Sequence, residues 1–280
     1  MTRKLSPAKV NLHLRVLRKR EDGYHDILTL MQRISLYDKM IFTPIERGIA
    51  ISCPDSALPE NEDNIVYRAA QTLLSGTSHS GGIHITIKKQ IPVAAGLGGG
   101  SSNAATTLIT LNELLELHCK TETLMKMGST LGADVPFFIC GKTAWATGIG
   151  DQLNPIENIP RLWFVLINPS FEISTKMVYE NLNFRLTKRA LKYRKLSLCT
   201  AEDIVKGLYN DLEKVTVHLH PSLQHLKDLL LQEGAHGALM SGSGPTVFGI
   251  FTEEEHASKA EEALKKSGAG AWSVFKAHSI

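Results

Sequence analysis

Apolar and polar positions change period several times along this chain, and each change marks an element boundary. Residues 5 to 17 alternate well enough for a strand, and Met31 to Ile51 reads as further strands broken near Asp38 and Pro44. Asp63 or Asn64 is placed to cap a helix with the apolar stripe Val66, Ala69, Ala70, Leu73 and Leu74, ending around Gly76. Ile83, Ile85 and Ile87 then alternate with His84, Thr86 and Lys88, the period of a half-buried strand. Helical spacing resumes from about Ser101 or Ser102 through Ala104, Ala105, Leu108, Leu111, Leu114 and Leu115, with serine at the natural capping position. Thr121 to Leu131 predicts another short helix, which Gly132 ends. Pro136 is expected to prevent its resumption, leaving Ala133, Asp134 and Val135 on a tight turn before a strand from Phe137 to Ala146.

Gly148 to Asp151 turns the chain, and Pro155 and Pro160 mark a connection where the pattern predicts a domain boundary, dividing the chain into 1–156 and 157–280. Beyond it, Leu162 to Ile167 is an apolar run of strand length, and Ser174 to Leu182 begins a helix. Pro221 and Ser222 start a helix through Leu223, Leu226, Leu229 and Leu230; Thr246 to Phe251 reads as strand, Glu253 to Lys266 as helix and Trp272 to Lys276 as strand. Such interleaving predicts an α+β layer, with helices on one face of a mostly antiparallel sheet.

Between the strand ending at Lys88 and the helix at Ser101 lies Pro92-Val-Ala-Ala-Gly96-Leu-Gly-Gly-Gly-Ser-Ser102. Gly96, Gly98, Gly99 and Gly100 tolerate positive φ and carry no Cβ to hold a ligand off the main chain. With a helix start behind them, their N–H groups and two serine hydroxyls suit a polyphosphate. Other glycine signatures fail letter by letter. A P-loop ends in Gly-Lys-Ser/Thr, and there is no lysine between Gln90 and Lys120. The dinucleotide fingerprint would need glycine at Ser101 or Asn103, and a nucleophile elbow fails at both Ser101 and Ser243. A flexible glycine linker is the remaining alternative, disfavoured by the strand before and the helix after.

Composition narrows the class. A chain of 280 residues with 43% hydrophobic and 21% charged content is an ordinary globular protein, long enough for two modest domains. The net charge of +3 and pI near 8.6 are too mild to argue for nucleic acid and suit anionic metabolites. Cys53, Cys119, Cys140 and Cys199 are scattered without a C-x-x-C pair, which indicates neither a zinc site nor a disulfide framework and fits a reducing compartment. No apolar run approaches the ~20 residues of a membrane span, and no signal-like segment opens the chain, so the expectation is a cytoplasmic protein with no membrane partner. Arg185, Lys188, Arg189, Lys192, Arg194 and Lys195 form a basic cluster that reads either as a solvated connection or as a patch for an acidic partner.

Three motifs stand in order: Pro7-Ala-Lys9-Val-Asn11-Leu, Pro92-x-x-x-Gly96-Leu-Gly-Gly-Gly-Ser-Ser-Asn-Ala-Ala105, and Ser241-Gly-Ser-Gly-Pro-Thr-Val-Phe248. In these the chain resembles the GHMP kinase superfamily. Asp22-Gly-Tyr24-His25 and Gly132-Ala-Asp134-Val-Pro136 narrow the resemblance to the branch that phosphorylates a cytidine-diphosphate-linked methylerythritol in non-mevalonate isoprenoid synthesis. It spans essentially the whole chain. It implies a two-domain α+β GHMP kinase fold, with an N-terminal domain like ribosomal protein S5 domain 2 and a ferredoxin-like C-terminal domain. ATP is the implied co-substrate, with Mg²⁺ expected and its ligands unassigned, in a monomer or weak homodimer.

By the same resemblance Asp134 takes the proton from the C2 hydroxyl of the acceptor, and Lys9 offsets the charge that develops there. A carboxylate is a weak base toward an alcohol, which makes a cationic partner reasonable; positioning the hydroxyl is an alternative role for Asp134. The resemblance puts Asn11 on the methylerythritol part and Tyr24 and His25 at the cytidine end, with Tyr179 as a second aromatic wall and Thr175 contacting the substrate. It puts the ATP phosphates on Pro92, Val93, Ala94, Ala95, Gly96, Leu97, Gly98, Gly99, Gly100, Ser101 and Ser102, with Lys89, Asn64, Ile65 and Val66 near the nucleoside and Ser241 to Gly244 closing the site. Two departures stand out: many members are richer in glycine where this chain has Val93-Ala94-Ala95, and Asn183 to Leu198 matches no family motif.

Three other readings stay open. A homoserine- or mevalonate-type GHMP kinase would have no use for Tyr24, His25 and Tyr179. A regulator that binds nucleotide without catalysis would not need both Lys9 and Asp134. Nucleic-acid binding through the basic cluster predicts salt-dependent affinity for RNA.

Overall fold

A computed structural model describes residues 1–77, 81–182, 198–268 and 270–280. The basic cluster from Arg185 to Lys195 lies outside the described residues. Contacts gather the chain into two compact units, one of Met1–Ala8, Leu36–Val93 and Gly98–Lys142, the other of Lys9–Ser35, Ala94–Leu97 and Thr143–Ile280. The long strands β1 (Thr2–Lys19) and β2 (His25–Ile45) each contribute residues to both.

β2 runs unbroken for 21 residues, through the two positions expected to interrupt it. Pro44 falls next to the strand's last residue, opposite Ile83, where a missing N–H costs little. Asp38 is fully buried yet satisfied: it accepts the backbone N–H groups of Gln90 (2.8 Å) and Ile91 (2.9 Å), the Asn103 amide (3.0 Å) and the Lys89 ammonium. A buried charge with a full set of donors need not end a strand.

In the first unit, β3 (Ile49–Ser52) pairs in parallel with β4 (Gly82–Lys88), and β4 pairs antiparallel with the end of β2, Lys39 facing Lys88 and Ile45 facing Gly82. Four helices accompany them: α1 (Ile65–Leu74), α2 (Gly99–Leu114), α3 (Thr121–Leu131) and α4 (Val135–Cys140). Asn64 caps α1, its side chain accepting the Val66 N–H at 2.9 Å. Two expectations are corrected. α2 begins at Gly99, capped by left-handed Gly98 (φ 70°) with no side-chain cap, so Ser101 and Ser102 lie inside its first turn. The stretch from Phe137, expected as strand, opens inside α4. Pro136 starts that helix, because a first-turn position needs no N–H, and a short apolar run buried on all sides carries no period to tell helix from strand.

In the second unit, β5 (Ala144–Thr147) pairs with the first half of β2 and with β6 (Gln152–Pro155). A separate antiparallel sheet is built from β7 (Trp163–Pro169), β9 (Gly237–Met240), β10 (Val247–Phe251) and β11 (Trp272–His278), in the order β11-β7-β10-β9. Between β7 and β9 lie α5 (Thr175–Glu180), α6 (Ala201–Lys206), β8 (Tyr209–Asn210), α7 (Asp211–Leu219) and α8 (Ser222–Gln232); α9 (Glu254–Gly268) precedes β11. Taking α8 and α9 as the crossovers, this is the β-α-β-β-α-β ferredoxin-like pattern. Val165 and Ile167 of β7 and Val247 and Phe251 of β10 share one core with Leu223, Leu226 and Leu230 of α8 and Ala257, Ala260 and Leu264 of α9. The two-residue strand β8 runs parallel to β1, Leu14 facing Asn210. Among the described residues no helix is long and apolar enough to cross a membrane.

Candidate active site

The glycine-rich loop is defined by what its carbonyls do. Ala94, Gly96 and Gly98 all have positive φ, of 52°, 77° and 70°. The Leu97 carbonyl accepts the Lys9 N–H (2.9 Å), the Gly96 carbonyl accepts the Ser241 hydroxyl (2.9 Å), the Ala95 carbonyl accepts the Thr246 N–H (3.4 Å), and the Gly98 carbonyl accepts the Ser102 N–H (2.9 Å). Within a peptide unit the C=O and N–H point oppositely. Four successive carbonyls committed to the protein therefore turn the N–H groups of Gly96, Leu97, Gly98 and Gly99 the other way. The first N–H groups of α2 follow, and these have no acceptor within their own helix. Backbone N–H groups left without a protein acceptor at a helix start are of the kind that receives an anion.

In the first unit, α1 and the turn after α3 converge on the start of α2. A Cβ placed on Gly132 would sit 3.6 Å from the Ser101 hydroxyl and 3.8 Å from Ile65, and one on Gly100 would sit 3.8 Å from Ile65. Ile65, Gly100, Ser101 and the Gly132-Ala-Asp134 turn are thus neighbours. Asp134 occupies the N-cap position of α4 and its side chain does not cap that helix. The Lys89 side chain, expected near the nucleoside, is almost wholly buried in its ion pair with Asp38, 3.4 Å from the Asn103 amide oxygen. Asn103 in turn donates to Ser6 (2.9 Å), and Ser6 to Ser102 (2.8 Å), so a buried polar chain runs from Asp38 to the first turn of α2.

In the second unit the buried Lys9 ammonium donates to the Asn11 amide oxygen at 2.6 Å, and the Asn11 amide nitrogen donates to Thr29 at 2.8 Å. These bonds fix the orientation of the Asn11 amide. Its backbone N–H reaches the Ser241 hydroxyl at 3.3 Å, and Gly242 passes so close that a Cβ there would lie 3.4 Å from the Asn11 oxygen. Thr175, at the start of α5, shares a hydrogen bond with Ser243 (2.7 Å). The structure thus brings Lys9, Asn11, Gly96, Thr175 and the Ser241–Gly244 turn into one connected group.

His25 stacks on Tyr179, ring centroids 4.9 Å apart and planes 27° from parallel. Burial, and then the charge of Lys19, holds the imidazole of His25 below its ordinary value, so the neutral ring faces Tyr179 at pH 7. Tyr24 is 61% exposed on the β1–β2 hairpin, where its N–H donates to Asp22 and Gly23 turns the chain at φ 86°. Arg20 bonds both Asp22 and Asp26 there, and its guanidinium holds the Asp22 carboxyl below the usual range.

Several residues that hold these elements were not singled out as site residues by sequence: Ser6, Asp38 and Asn103 around the start of α2 in the first unit, and Thr29, Asn210 and Glu213 around Asn11 and the Ser241 turn in the second. Asn210 and Glu213 did carry a signal, since Asn-x-x-Glu ahead of a helical run is a capping pattern. Among the described residues no three His, Cys, Asp or Glu side chains are grouped to hold a metal ion.

Comparison with known proteins follows the same division. The family described as GHMP kinases N terminal domain matches residues 64–142, and that described as GHMP kinases C terminal matches 198–270. A 4-diphosphocytidyl-2-C-methyl-D-erythritol kinase of Syntrophus aciditrophicus is 59% identical over 280 residues, covering all of both chains. The protein of the same name from Syntrophotalea carbinolica is 48% identical, covering 99% of this chain and 98% of its own. A crystal structure of 4-(cytidine 5'-diphospho)-2C-methyl-D-erythritol kinase superposes with a TM-score of 0.85 at 34% identity, over 99% of both chains. A homoserine kinase from Cytophaga hutchinsonii, at 21% identity and TM-score 0.71, shares the fold.

Proposed function

The chain belongs to the GHMP kinases and, within them, to the 4-diphosphocytidyl-2-C-methyl-D-erythritol kinases, and on that footing we propose how its residues divide the reaction. The reaction is transfer of the γ-phosphoryl of ATP to the C2 hydroxyl of 4-diphosphocytidyl-2-C-methyl-D-erythritol, giving the 2-phosphate and ADP in non-mevalonate isoprenoid synthesis. Full-length identity of 59% to a protein of that name is the observation that carries it. The stacked His25–Tyr179 pair supports the same acceptor, since a cytosine ring needs a flat wall and homoserine or mevalonate does not.

ATP phosphates lie on the N–H groups from Gly96 to Gly99 and the first turn of α2, with Ser101 and Ser102 adding hydroxyls. Asn64, Ile65 and Val66 border the nucleoside, and the Ser241–Gly244 turn covers the nucleotide. Phosphoryl transfer is catalysed by positioning and electrostatics, so the loop's fixed carbonyls matter as much as its donors. Asp134 accepts the proton of the C2 hydroxyl. Lys9 offsets charge on the developing alkoxide and the moving phosphoryl, and Asn11, oriented by Lys9 and Thr29, holds the methylerythritol part. Tyr24, His25, Thr175 and Tyr179 receive the cytidine end. The two matched segments, 64–142 and 198–270, fall one in each of the proposed domains, 1–156 and 157–280.

Among the described residues the donor set does not offer an all-protein cage for Mg²⁺, which binds proteins through one or two carboxylates and otherwise keeps water and substrate phosphates. Mg²⁺ held by the ATP phosphates would neutralise their charge, and no side chain is assigned to it. Four unpaired cysteines support a cytoplasmic setting.

Incubation with ATP and each of three alcohols, the cytidine-linked methylerythritol, mevalonate and homoserine, tests the reading. ADP release with only the first is expected. Asp134→Ala, with ligand binding retained, is expected to lower kcat by about 10²–10⁴-fold, the usual worth of a positioned acid or base. Turnover with mevalonate or homoserine and not the cytidine compound would overturn the acceptor; parent-like kcat in the variant would overturn the role of Asp134.

A further inference from the structure

Asn210 is buried at the N-cap of α7, and its three hydrogen bonds serve two purposes. Its side-chain oxygen accepts the Leu212 N–H at 2.9 Å, which caps the helix. Its side-chain nitrogen donates to two carbonyls, those of Met240 and Gly242, each at 2.8 Å. Capping needs only the oxygen, and aspartate or serine would supply it equally well. The amide nitrogen is what asparagine adds, and both its protons go to the Ser241 turn.

The two carbonyls flank Ser241. That residue's hydroxyl bonds the Gly96 carbonyl and receives the Asn11 N–H, and its own carbonyl lies 2.1 Å from where a Cβ on Gly96 would sit. Gly242 and Gly244, with φ of 57° and 85°, give this turn little conformational stiffness of its own. Glu213, one turn along α7, accepts the Met240 N–H at 2.7 Å and is itself held by Lys227 at 2.5 Å. The first turn of α7 therefore grips the chain at Met240 and Gly242 from one side, while Gly96 and Asn11 meet it at Ser241.

We propose that Asn210 is a positioning residue for the nucleotide: through its amide nitrogen it fixes the Ser241–Gly244 turn in the shape that receives ATP, separately from its capping of α7. The proposal rests on the reading of that turn as covering the nucleotide. Asn210→Ser and Asn210→Asp both keep a capping oxygen and delete the two donors. In the full-length protein, both are expected to raise the KM for ATP, and the Kd for ATP measured by calorimetry, about tenfold or more, since small misplacements of a positioning group cost up to about 10²-fold. The KM for the cytidine acceptor should stay within about twofold, while Tm falls by roughly 5–10 °C, because two buried carbonyls lose their donors, with cooperative melting retained.

A merely structural role would lower the folded fraction, reducing kcat and Tm and leaving both ATP constants unmoved; that pattern overturns the proposal, as do parent-like ATP constants. Should the serine variant fail to melt cooperatively, the isosteric aspartate variant decides, and failure of both to fold assigns Asn210 a structural role and sinks the idea. If the parent does not phosphorylate the cytidine compound, the proposed reaction fails, yet calorimetric ATP binding by parent and variants still decides the role of Asn210.

Discussion

Gly96→Ala tests whether the loop's shape is imposed by its neighbours. Gly96 has φ of 77°, where an alanine costs about 1–2 kcal/mol. Its new Cβ would lie 2.1 Å from the Ser241 carbonyl oxygen, 3.1 Å from that carbonyl carbon and 3.2 Å from the Gly244 nitrogen, all backbone atoms. Relief requires one backbone to retreat from the other by about 1 Å, an overpacking cost of about 1–3 kcal/mol. The retreat also stretches the Ser241 hydroxyl away from the Gly96 carbonyl, a bond worth about 1 kcal/mol. Together these come to about 3–6 kcal/mol, or a Tm lower by roughly 5–15 °C in a chain of this size. Turnover of the surviving folded protein should drop about 10²-fold in kcat/KM for ATP, because a displaced Gly96 carbonyl re-aims the peptide units that carry the donors. Gly100→Ala is the internal contrast. Its Cβ meets nothing nearer than Ile65 at 3.8 Å, and it lies within α2, where alanine is favoured over glycine, so stability should hold or rise while the ATP KM increases if phosphate passes over that surface. Thermal melts by circular dichroism and coupled ADP-release kinetics read both. A Gly96→Ala protein with parental Tm and kcat/KM would refute the reasoning.

Other outcomes follow from the same geometry. Lys89→Met strands the buried Asp38 carboxylate without its cation and should cost about 3–5 kcal/mol, softened by the three N–H donors that remain; a loss of ATP affinity at unchanged Tm would instead make Lys89 a nucleotide ligand. His25, held below its ordinary 6.5 by burial and then by Lys19, takes up its proton in the unfolded chain before the folded one as pH falls. Stability from the neutral ring is therefore complete above pH 6.5 and declines as pH falls through the depressed folded value. The KM for the cytidine acceptor should accordingly be flat from pH 8 to 6.5 and rise below, and His25→Gln should flatten the profile; a rise centred above pH 6.5 in the parent contradicts it.

The fold's main elements were legible where one physical cue dominated. Ile83, Ile85 and Ile87 alternate because one face of β4 is buried, and Asn64 announces α1 because its oxygen must accept the Val66 N–H. The failures were places where two cues competed. Asp38 looked like a breaker since a lone buried carboxylate is costly, and nothing local says that Lys89, Gln90, Ile91 and Asn103 will converge on it. Pro136 looked like a stop, although the same residue at the first turn is a start, and only the packing of Val135–Cys140 on every side decides between them. Of the candidate residues, the loop glycines, Lys9, Asn11 and the His25–Tyr179 wall are drawn by structure into contact with motif partners. Lys89 is drawn into an ion pair with Asp38 at the loop's entry.

Three of the residues missed by sequence, Asp38, Asn210 and Glu213, bond main-chain groups. Asp38 takes the N–H groups of Gln90 and Ile91, Asn210 takes the carbonyls of Met240 and Gly242, and Glu213 takes the Met240 N–H. A side chain that bonds backbone leaves no complementary letter elsewhere in the chain, so no pattern of residue types reveals the pair. Such residues matter most beside glycine-rich segments, which have no side chains with which to hold their own shape. The glycine-rich loop is the clear case: on the proposed reading it supplies donors, but the direction of those donors is set by the groups that take its carbonyls, Lys9 at Leu97, Ser241 at Gly96 and Thr246 at Ala95. Its glycines make close approach to an anion possible, and these bonds make that approach repeatable from one turnover to the next. Rigidity of a glycine loop is therefore a property of its surroundings.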